Sequence, residues 1–273
     1  MYKIVERQET TPNVKMFRVH APAVAHKARP GQFVIIRVSD RGERLPITIA
    51  GVDPDEGTVT IYVAEVGKSS TELCKLAQGD GILNFAGPLG NATEVKDYGR
   101  VLCVGGGVFV GALLYQMRAL KEAGNHVVAV FGYRNKDHVM LEDELKAVAD
   151  EAYVCTDDGS YGLTGLGVVD ELLESQRFDV AFTIGPTSLQ KSLSEKTLPH
   201  GVPTRVNLFP IMVDGMGMCG ACRVTVGGDT RFSCVDGPEF DGHRVDFDEL
   251  IMRMRVYNPQ EKIAMVVYER EVG

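Results

Sequence analysis

The residues with the clearest chemical potential form a glycine-rich loop near the end of the chain, VDGMGMCGACRVTVGGDTRFSC. Asp214, Cys219 and Cys222 follow the spacing D-x4-C-x2-C, and Cys234 is the next cysteine. With cysteine in the first position this would be the plant-type [2Fe–2S] spacing, in which thiolates of one tight loop hold both irons. A carboxylate oxygen can also bind iron, so Asp214 can take that position. The spacing therefore predicts a [2Fe–2S] cluster and one-electron transfer.

Two other interpretations of this loop stay open. A C-x2-C pair is also half of a zinc knuckle, which would make the loop a structural zinc site with no redox role. An aspartate before a glycine is often only a turn residue. Only one C-x2-C pair occurs, and small residues crowd the loop as they would around a cluster. We therefore favour [2Fe–2S] over zinc.

Composition and charge limit the class of protein. The 273 residues carry a net charge of −8, which argues against a nucleic-acid-binding protein. The longest uncharged stretch, residues 101–117, holds four glycines and predicts strand, turn and helix rather than a membrane span. With no signal peptide pattern, we expect a cytoplasmic protein with reduced thiols. Cys74, Cys103 and Cys155 have no partner at ligand spacing, so we expect them in the core.

The pattern along the chain predicts three domains. Short β segments separated by turn residues predict an antiparallel barrel over residues 1–97, with one short helix capped by Ser69 and Ser70. Alternating strands and helices over residues 98–204 predict a Rossmann-like domain with a parallel sheet. Residues 205–273 are too few for an independent core, so we expect a small domain held together by its cluster.

A second group of residues could bind a flavin. R-x-P-x-T in the barrel segment is followed by a glycine and two serines where a helix begins, and a helix N-terminus suits a pyrophosphate. A serine pair there can also be only a cap. The candidate flavin-binding residues are Arg44, Pro46, Ile47, Thr48, Gly67, Lys68, Ser69, Ser70 and Thr71.

A third group follows the strands of the α/β segment. Glycines between a strand and a helix let the phosphates of a dinucleotide approach the backbone. Two further turns also follow predicted strands, where a nicotinamide nucleotide would cross the sheet. The candidate residues are Gly105, Gly106, Gly107, Asp157, Asp158, Gly159, Ser160, Gly185 and Pro186.

With these motifs in this order, the chain resembles the ferredoxin–NADP reductase superfamily over essentially its whole length. It is similar to the group with a C-terminal [2Fe–2S] domain, above all over residues 210–243. One branch holds the electron-transfer subunits of dihydroorotate dehydrogenase B, with four cysteine ligands. The other holds the small subunits of electron-bifurcating NADH-dependent ferredoxin:NADP oxidoreductases, also called sulfide dehydrogenases, with one aspartate and three cysteines. Asp214 matches the second branch.

This resemblance implies the cofactors and the partner. FAD and NAD(P)(H) would bind at the candidate residues given above, and the cluster at Asp214 and the three cysteines. The partner would be a larger flavoprotein with FAD and [4Fe–4S] clusters, similar to the glutamate synthase small subunit, through which ferredoxin could be reached. The cofactors carry the chemistry, so we assign no catalytic side chain.

One position departs from the family. The glycine turn reads roughly G-G-G-x-G-x-A-P in the family and GGGVFVGAL here, with Phe109 in a glycine position. The phenyl ring could block the path of the pyrophosphate, or it could only repack the helix. In the first case the chain would be a relay with FAD and the cluster but without nicotinamide.

Overall fold

The computed structural model describes residues 1–272, and its first part is a pair of antiparallel sheets around one core. The strands are β1 (Tyr2–Thr11), β2 (Val14–His20), β3 (Phe33–Arg37), β4 (Leu45–Thr48), β5 (Gly51–Asp53), β6 (Thr58–Ala64), β7 (Gly81–Ile82) and β8 (Asn84–Leu89). The helices are α1 (Pro22–Ala25) and α2 (Lys68–Cys74). The sheets have the orders β5-β6-β2-β1-β7 and β4-β3-β8. Phe17 of one sheet and Ile36 of the other are fully buried in a shared core, so the predicted antiparallel barrel is confirmed.

The second part is a parallel sheet with helices on both faces. Its strands are β9 (Arg100–Gly106), β10 (His126–Tyr133), β11 (Glu151–Thr156), β12 (Leu163–Thr164), β13 (Val180–Ile184) and β14 (Thr204–Asn207). Its α-helices are α3 (Val110–Glu122), α4 (Glu142–Val148), α5 (Gly167–Ser175) and α6 (Thr187–Thr197). Along β9, Val101 and Cys103 pack with α3 and α4, whereas Leu102 and Val104 pack with α5 and α6. This alternation explains the continuous apolar run, because both faces of the strand are covered.

The last part adds to that sheet and ends in two helices. It contains β15 (Arg223–Val226), β16 (Asp229–Phe232), β17 (Glu239–Asp241), α7 (Phe247–Met254) and α8 (Asn258–Val272). The sheet has the order β12-β11-β10-β9-β13-β14-β17, with β17 antiparallel to β14. The segment predicted as a cluster domain is thus joined to the α/β sheet, and the three domain boundaries stay a prediction. Within the described residues, no helix is both long and apolar enough to cross a membrane.

The three cysteines outside the loop lie in the core. Cys74, Cys103 and Cys155 are each no more than 1% exposed. Burial raises the pKa of Cys103 to about 12 and those of Cys74 and Cys155 to about 11, because a thiolate is poorly solvated there. The prediction that they are core residues is confirmed.

Candidate functional site

The loop with Asp214, Cys219 and Cys222 connects β14 to β15 and is shaped by the carboxylate of Asp214, whereas Cys234 follows β16. Its Oδ1 accepts a hydrogen bond from the N–H of Met216 (2.8 Å). Its Oδ2 accepts from the N–H groups of Met218 (3.0 Å) and Cys219 (2.7 Å). These bonds, with that of Met216 first, hold the pKa of Asp214 below its usual value by favouring the ionised form. Gly215 turns the chain beside it with φ +74°, which favours glycine.

Of the four predicted ligands, the structure brings Cys222 and Cys234 together. Their Sγ atoms are 3.2 Å apart and both side chains are buried, whereas Cys219 is exposed. Burial, and then the contact with Cys222, raises the pKa of Cys234 to about 12. Among residues 1–272, no three His, Cys, Asp or Glu side chains already converge as metal ligands.

The donor set nevertheless fits an iron–sulfur cluster. Two thiols are close enough to bind one iron, and Asp214 and Cys219 are linked by a hydrogen bond in the same loop. Three of the donors are thiols, as in the plant-type cluster, and the Asp214 carboxylate supplies an oxygen at the position of the first cysteine. Binding would require Cys219 to turn from the surface toward the other two thiols.

A cavity of about 990 Å³ collects the predicted flavin residues. This volume lies at the upper end of the range for cofactor pockets. Eight of the nine predicted residues line it: Arg44, Pro46, Ile47, Thr48, Gly67, Lys68, Ser69 and Ser70. Thr71 is buried in the first turn of α2 and is not part of the lining.

Three cationic side chains line this cavity, together with the two carboxylates of Glu43 and Glu261. Arg37, Arg44 and Lys68 are all part of the wall. The Nε of Arg37 is buried and has no hydrogen-bond partner among the described residues. A buried donor without a partner costs about 1–3 kcal/mol, so an anionic group in the cavity would relieve that cost. The lining therefore fits a phosphate-bearing cofactor such as FAD. Sequence reasoning missed Arg37, although its place at the end of the apolar run of β3 was a signal.

Helix α2 presents its first turn to the cavity. It begins at Lys68 after the N-cap Gly67, so the predicted capping residues Ser69 and Ser70 lie inside the first turn, and only Ser70 contributes to the cap. The Ser70 hydroxyl accepts a hydrogen bond from the Gly67 N–H (3.0 Å) and donates to the Gly67 carbonyl oxygen (2.9 Å), which closes the turn. Ser69 donates to Glu43 (2.7 Å). Both hydroxyls thus have partners within the protein.

The predicted glycine turn lies at the carboxyl end of β9, in the middle of the parallel sheet. Because β13 pairs with β9, Gly106 lies next to Pro186, and a Cβ on Gly106 would be 3.5 Å from the Pro186 Cδ. Gly107 has φ +57°, and no atom lies within 4 Å of its Cβ position, so the space beside it is open. The structure therefore brings residues 105–107 and 185–186 together. Residues 157–160 lie at the same edge, two strands away, after β11.

Phe109 packs toward the flavin cavity. Its ring lines the cavity and stacks on Phe209, with centroids 6.1 Å apart and planes at 24°. Phe209 contacts Phe33 edge to face (6.2 Å, 84°), and Phe33 lies in the buried cluster that contains Cys222 and Cys234. This arrangement agrees with the second expectation for Phe109, a repacked turn. Sequence reasoning missed Phe209, because a lone aromatic residue carries no periodic signal.

The cluster loop and the flavin cavity share a wall. Phe209, Ile211, Met212 and Val213, the residues that lead to Asp214, line the cavity. Met212 is 3% exposed and also packs with the cysteine pair. One layer of side chains thus separates the cavity from the predicted cluster, which suits electron transfer between them.

Helix α8 lines the cavity as well, although the sequence analysis assigned it no role. Within the helix the contributing residues are Gln260, Glu261 and Ala264, with spacings of one, three and four positions, and Tyr257 just before the helix lines the cavity too. That spacing places them on one face of the helix.

Comparison with known proteins agrees with this arrangement. Residues 210–246 match the iron-sulfur cluster binding domain of dihydroorotate dehydrogenase B. A Thermotoga maritima protein named dihydroorotate dehydrogenase B (NAD(+)), electron transfer subunit homolog is 48% identical over 98% of this chain and 94% of its own. The corresponding electron transfer subunit of Geobacillus thermodenitrificans is 36% identical over 80% of this chain and 86% of its own.

A solved structure matches the whole fold. It is that of an NADH-dependent reduced ferredoxin-NADP oxidoreductase, described in connection with flavin-based electron bifurcation. The TM-score is 0.94 at 46% sequence identity, and the match covers 100% of this chain and 98% of the other. The antiparallel barrel, parallel sheet and C-terminal cluster segment are therefore a shared arrangement.

Proposed function

Because this chain belongs to the family of dihydroorotate dehydrogenase B electron transfer subunits and their homologues, we propose that it passes electrons between NAD(P)H and a larger flavoprotein subunit. It is an oxidoreductase subunit whose cofactors are FAD and a [2Fe–2S] cluster, with NAD(P)H as its substrate. One observation carries the proposal: the loop that holds Asp214 forms part of the wall of the flavin cavity. When bound, FAD supplies the exchange between two-electron and one-electron chemistry.

We assign the cavity to FAD through its charge and its apolar wall. Arg37, Arg44 and Lys68 provide the positive charge that a pyrophosphate needs. The buried Nε–H of Arg37, which has no partner among the described residues, is available to donate a hydrogen bond. Free N–H groups at the start of α2 would add to this charge. Pro46 and Ile47 of β4 offer an apolar surface for the ring system.

The nicotinamide nucleotide would bind at the carboxyl edge of the parallel sheet. Gly107 leaves room there for its phosphates, whereas Gly105, Gly106 and Gly185 pack closely on Leu113 and Leu189 and so hold the turns against the helices. The open space beside Gly107 and the packing of Phe109 on Phe209 support an unobstructed path. The turn at residues 157–160 offers two carboxylates and a hydroxyl for a ribose.

We assign the cluster to Asp214, Cys219, Cys222 and Cys234. The short distance between the sulfurs of Cys222 and Cys234 supports their binding one iron together. Asp214 and Cys219 would then bind the other. Asp214 has two tasks in this assignment, because its carboxylate also orders the loop through three N–H groups.

The finer proposal concerns the partner. Asp214 in the first ligand position, with the solved neighbour at 46% identity, supports an electron-bifurcating complex of the NADH-dependent ferredoxin:NADP type. The partner would be a larger subunit with FAD and [4Fe–4S] clusters, similar to the glutamate synthase small subunit. Met216 and Met218 on the cluster loop are 62% and 83% exposed and offer it an apolar contact. Electrons would leave the chain at this loop.

A second candidate is the electron transfer subunit of dihydroorotate dehydrogenase B itself. The match over residues 210–246 and the names of the relatives support it. Both candidates use the same path through this chain and differ in the partner. The complex isolated from its host distinguishes them: one reduces NADP with NADH and reduced ferredoxin, and the other oxidises dihydroorotate with NAD.

The test of the common proposal is anaerobic purification followed by a visible spectrum and analysis of iron, labile sulfide, flavin and zinc. We expect flavin and iron–sulfur absorption, with bleaching on addition of NADH or NADPH. Cys222→Ser should lose iron and keep flavin, and Cys155→Ser, a buried cysteine outside the loop, should keep both. A colourless protein with zinc would refute the proposal. If neither nucleotide bleaches the flavin, the remaining alternative is a relay subunit that binds FAD and the cluster but not nicotinamide.

A further inference from the structure

Helix α8 crosses the flavin cavity although it carries none of the predicted cofactor-binding residues. Its first two turns line the cavity through one face. Farther along that face, the Lys75 ammonium lies 4.7 Å from the centroid of the Tyr268 ring. Lys75 is the C-cap of α2, the helix whose N-terminus is the predicted phosphate site. Helix α8 therefore extends from the cavity to the far end of α2.

Helix α7 fixes the start of this crossing. Lys191 of α6 pairs with Asp248 at 2.7 Å. Arg253, near the end of α7, donates a hydrogen bond to the Ala221 carbonyl oxygen (3.3 Å), inside the cluster loop. The chain therefore enters α8 from a point held to both the parallel sheet domain and the cluster loop.

Helix α8 itself has little packing of its own. Ile263 is 65% exposed and Val267 is 47% exposed. A helix of 15 residues is marginally stable in water without tertiary contacts. Its inner face lines a cavity instead of packing on a core. The contacts that this face lacks would therefore come from a molecule that fills the cavity.

We propose that α8 is part of the FAD site, packs against the bound cofactor and retains it. This inference rests on the proposed function, because it requires FAD in this cavity. Gln260 offers an amide and Ala264 a side chain small enough for close approach, and Tyr257, just before the helix, offers an aromatic ring. The contact between Lys75 and Tyr268 fastens the far end. Since FAD binds the arrangement with α8 in place, its binding also stabilises the helix.

Hydrogen exchange on the full chain tests the linkage directly. Protein stripped of FAD is compared with the same protein reloaded with FAD. We expect the amides of α8 to exchange more slowly with FAD bound. The amides of α5, which packs on the parallel sheet and does not line the cavity, should exchange at an unchanged rate. Equal exchange of α8 in the two states would overturn the inference.

Matched variants test retention. Ala264→Met adds bulk on the inner face and keeps helix propensity, and Tyr268→Ser removes the distal contact without altering the cavity. We expect about tenfold faster FAD release for Ala264→Met, and a smaller increase for Tyr268→Ser. Ile263→Ser, on the exposed face, should release FAD like the native chain.

The outcomes separate the two proposals. If the native chain binds no FAD, the proposed function fails and the inference fails with it. If the native chain binds FAD and both inner-face variants retain it equally well, only the role of α8 is refuted. If Ala264→Met does not fold, Tyr268→Ser and the exchange experiment still decide.

Discussion

Replacement of Asp214 separates its two proposed tasks, ordering the loop and binding iron. Asp214→Asn keeps one oxygen acceptor at nearly the same place but is a weaker ligand for iron. Asp214→Ala removes both oxygens. Asp214→Cys supplies the thiolate that the four-cysteine spacing would have.

The hydrogen bonds give the structural part of the effect. The carboxylate accepts three N–H bonds at 2.8, 3.0 and 2.7 Å. Bonds to a charged acceptor are worth about 1.5–3 kcal/mol each when buried, but Met216 and Met218 lie at the surface, where water can replace the carboxylate. We therefore expect Asp214→Ala to destabilise the loop by about 1–3 kcal/mol in total. Asp214→Asn should cost less, because one acceptor remains.

The cluster gives the chemical part. If Asp214 binds iron, Asp214→Asn should lose most of its iron while the flavin content stays native. Asp214→Cys should keep the cluster and shift its reduction potential, and a change of about 1.4 kcal/mol in relative stability corresponds to about 59 mV for one electron. Iron and sulfide analysis, electron paramagnetic resonance and a potentiometric titration measure these effects.

Two results would refute this reasoning. Asp214→Asn with full iron content and a native potential would show that Asp214 only orders the loop. Asp214→Cys with an intact cluster and an unchanged potential would show that an oxygen ligand has no effect on the cluster. Met218→Ala, which leaves the backbone N–H in place, serves as a control for changes at the loop surface.

Three further predictions concern the cavity, the glycine turn and the pH dependence. Arg37→Leu should raise the Kd for FAD about tenfold or more in an equilibrium titration. Arg41→Leu, at an exposed side chain outside the cavity lining, should not, and equal affinities of the two variants would contradict the charge assignment. Phe109→Gly should lower stability to urea by about 2–3 kcal/mol through lost packing on Phe209, with little change in the NADH needed to bleach the flavin; a large gain in NADH affinity would show that the ring blocks the nucleotide. Burial raises the pKa of Glu239 in the folded protein. Glu239 therefore stabilises the fold at pH values below its ordinary pKa, and this stabilisation is lost as the pH rises through the pKa of the folded state. Glu239→Gln should therefore raise Tm at pH 8 and leave it unchanged at pH 4, and an equal change at both pH values would be inconsistent with this cause.

The sequence predicted much of the fold because its patterns are local. Short strands divided by turn residues indicated the barrel, and the apolar run of β9 followed by three glycines indicated the start of the α/β sheet. Both signals depend on the spacing of a few neighbouring residues, which the folded chain preserves. The start of α2 was predicted too late, because Ser70 folds back onto Gly67 and so brings Lys68 into the helix.

The candidate site residues show the same difference between local patterns, which the sequence reveals, and contacts between distant segments, which it does not. The spacing of Asp214 and the three cysteines was readable because one loop holds all but one of them. Arg37 was missed although the end of the β3 run was a signal, whereas Phe209 could not be found, since it acquires its place only when distant segments meet. Phe209 shows this most clearly: it contacts Phe109, 100 positions earlier, and Phe33 in the barrel.

By itself, the sequence determined which candidate donors for iron this chain has, in what order its parts follow, and that Asp214 stands where the plant-type spacing has its first cysteine. Such features are fixed by covalent order and by interactions between close neighbours. Only the tertiary structure decided that the cluster loop and the flavin cavity share a wall, that the Phe109 ring packs on Phe209, and that α8 crosses the cavity. These depend on side chains far apart in sequence, which burial of apolar surface brings into contact.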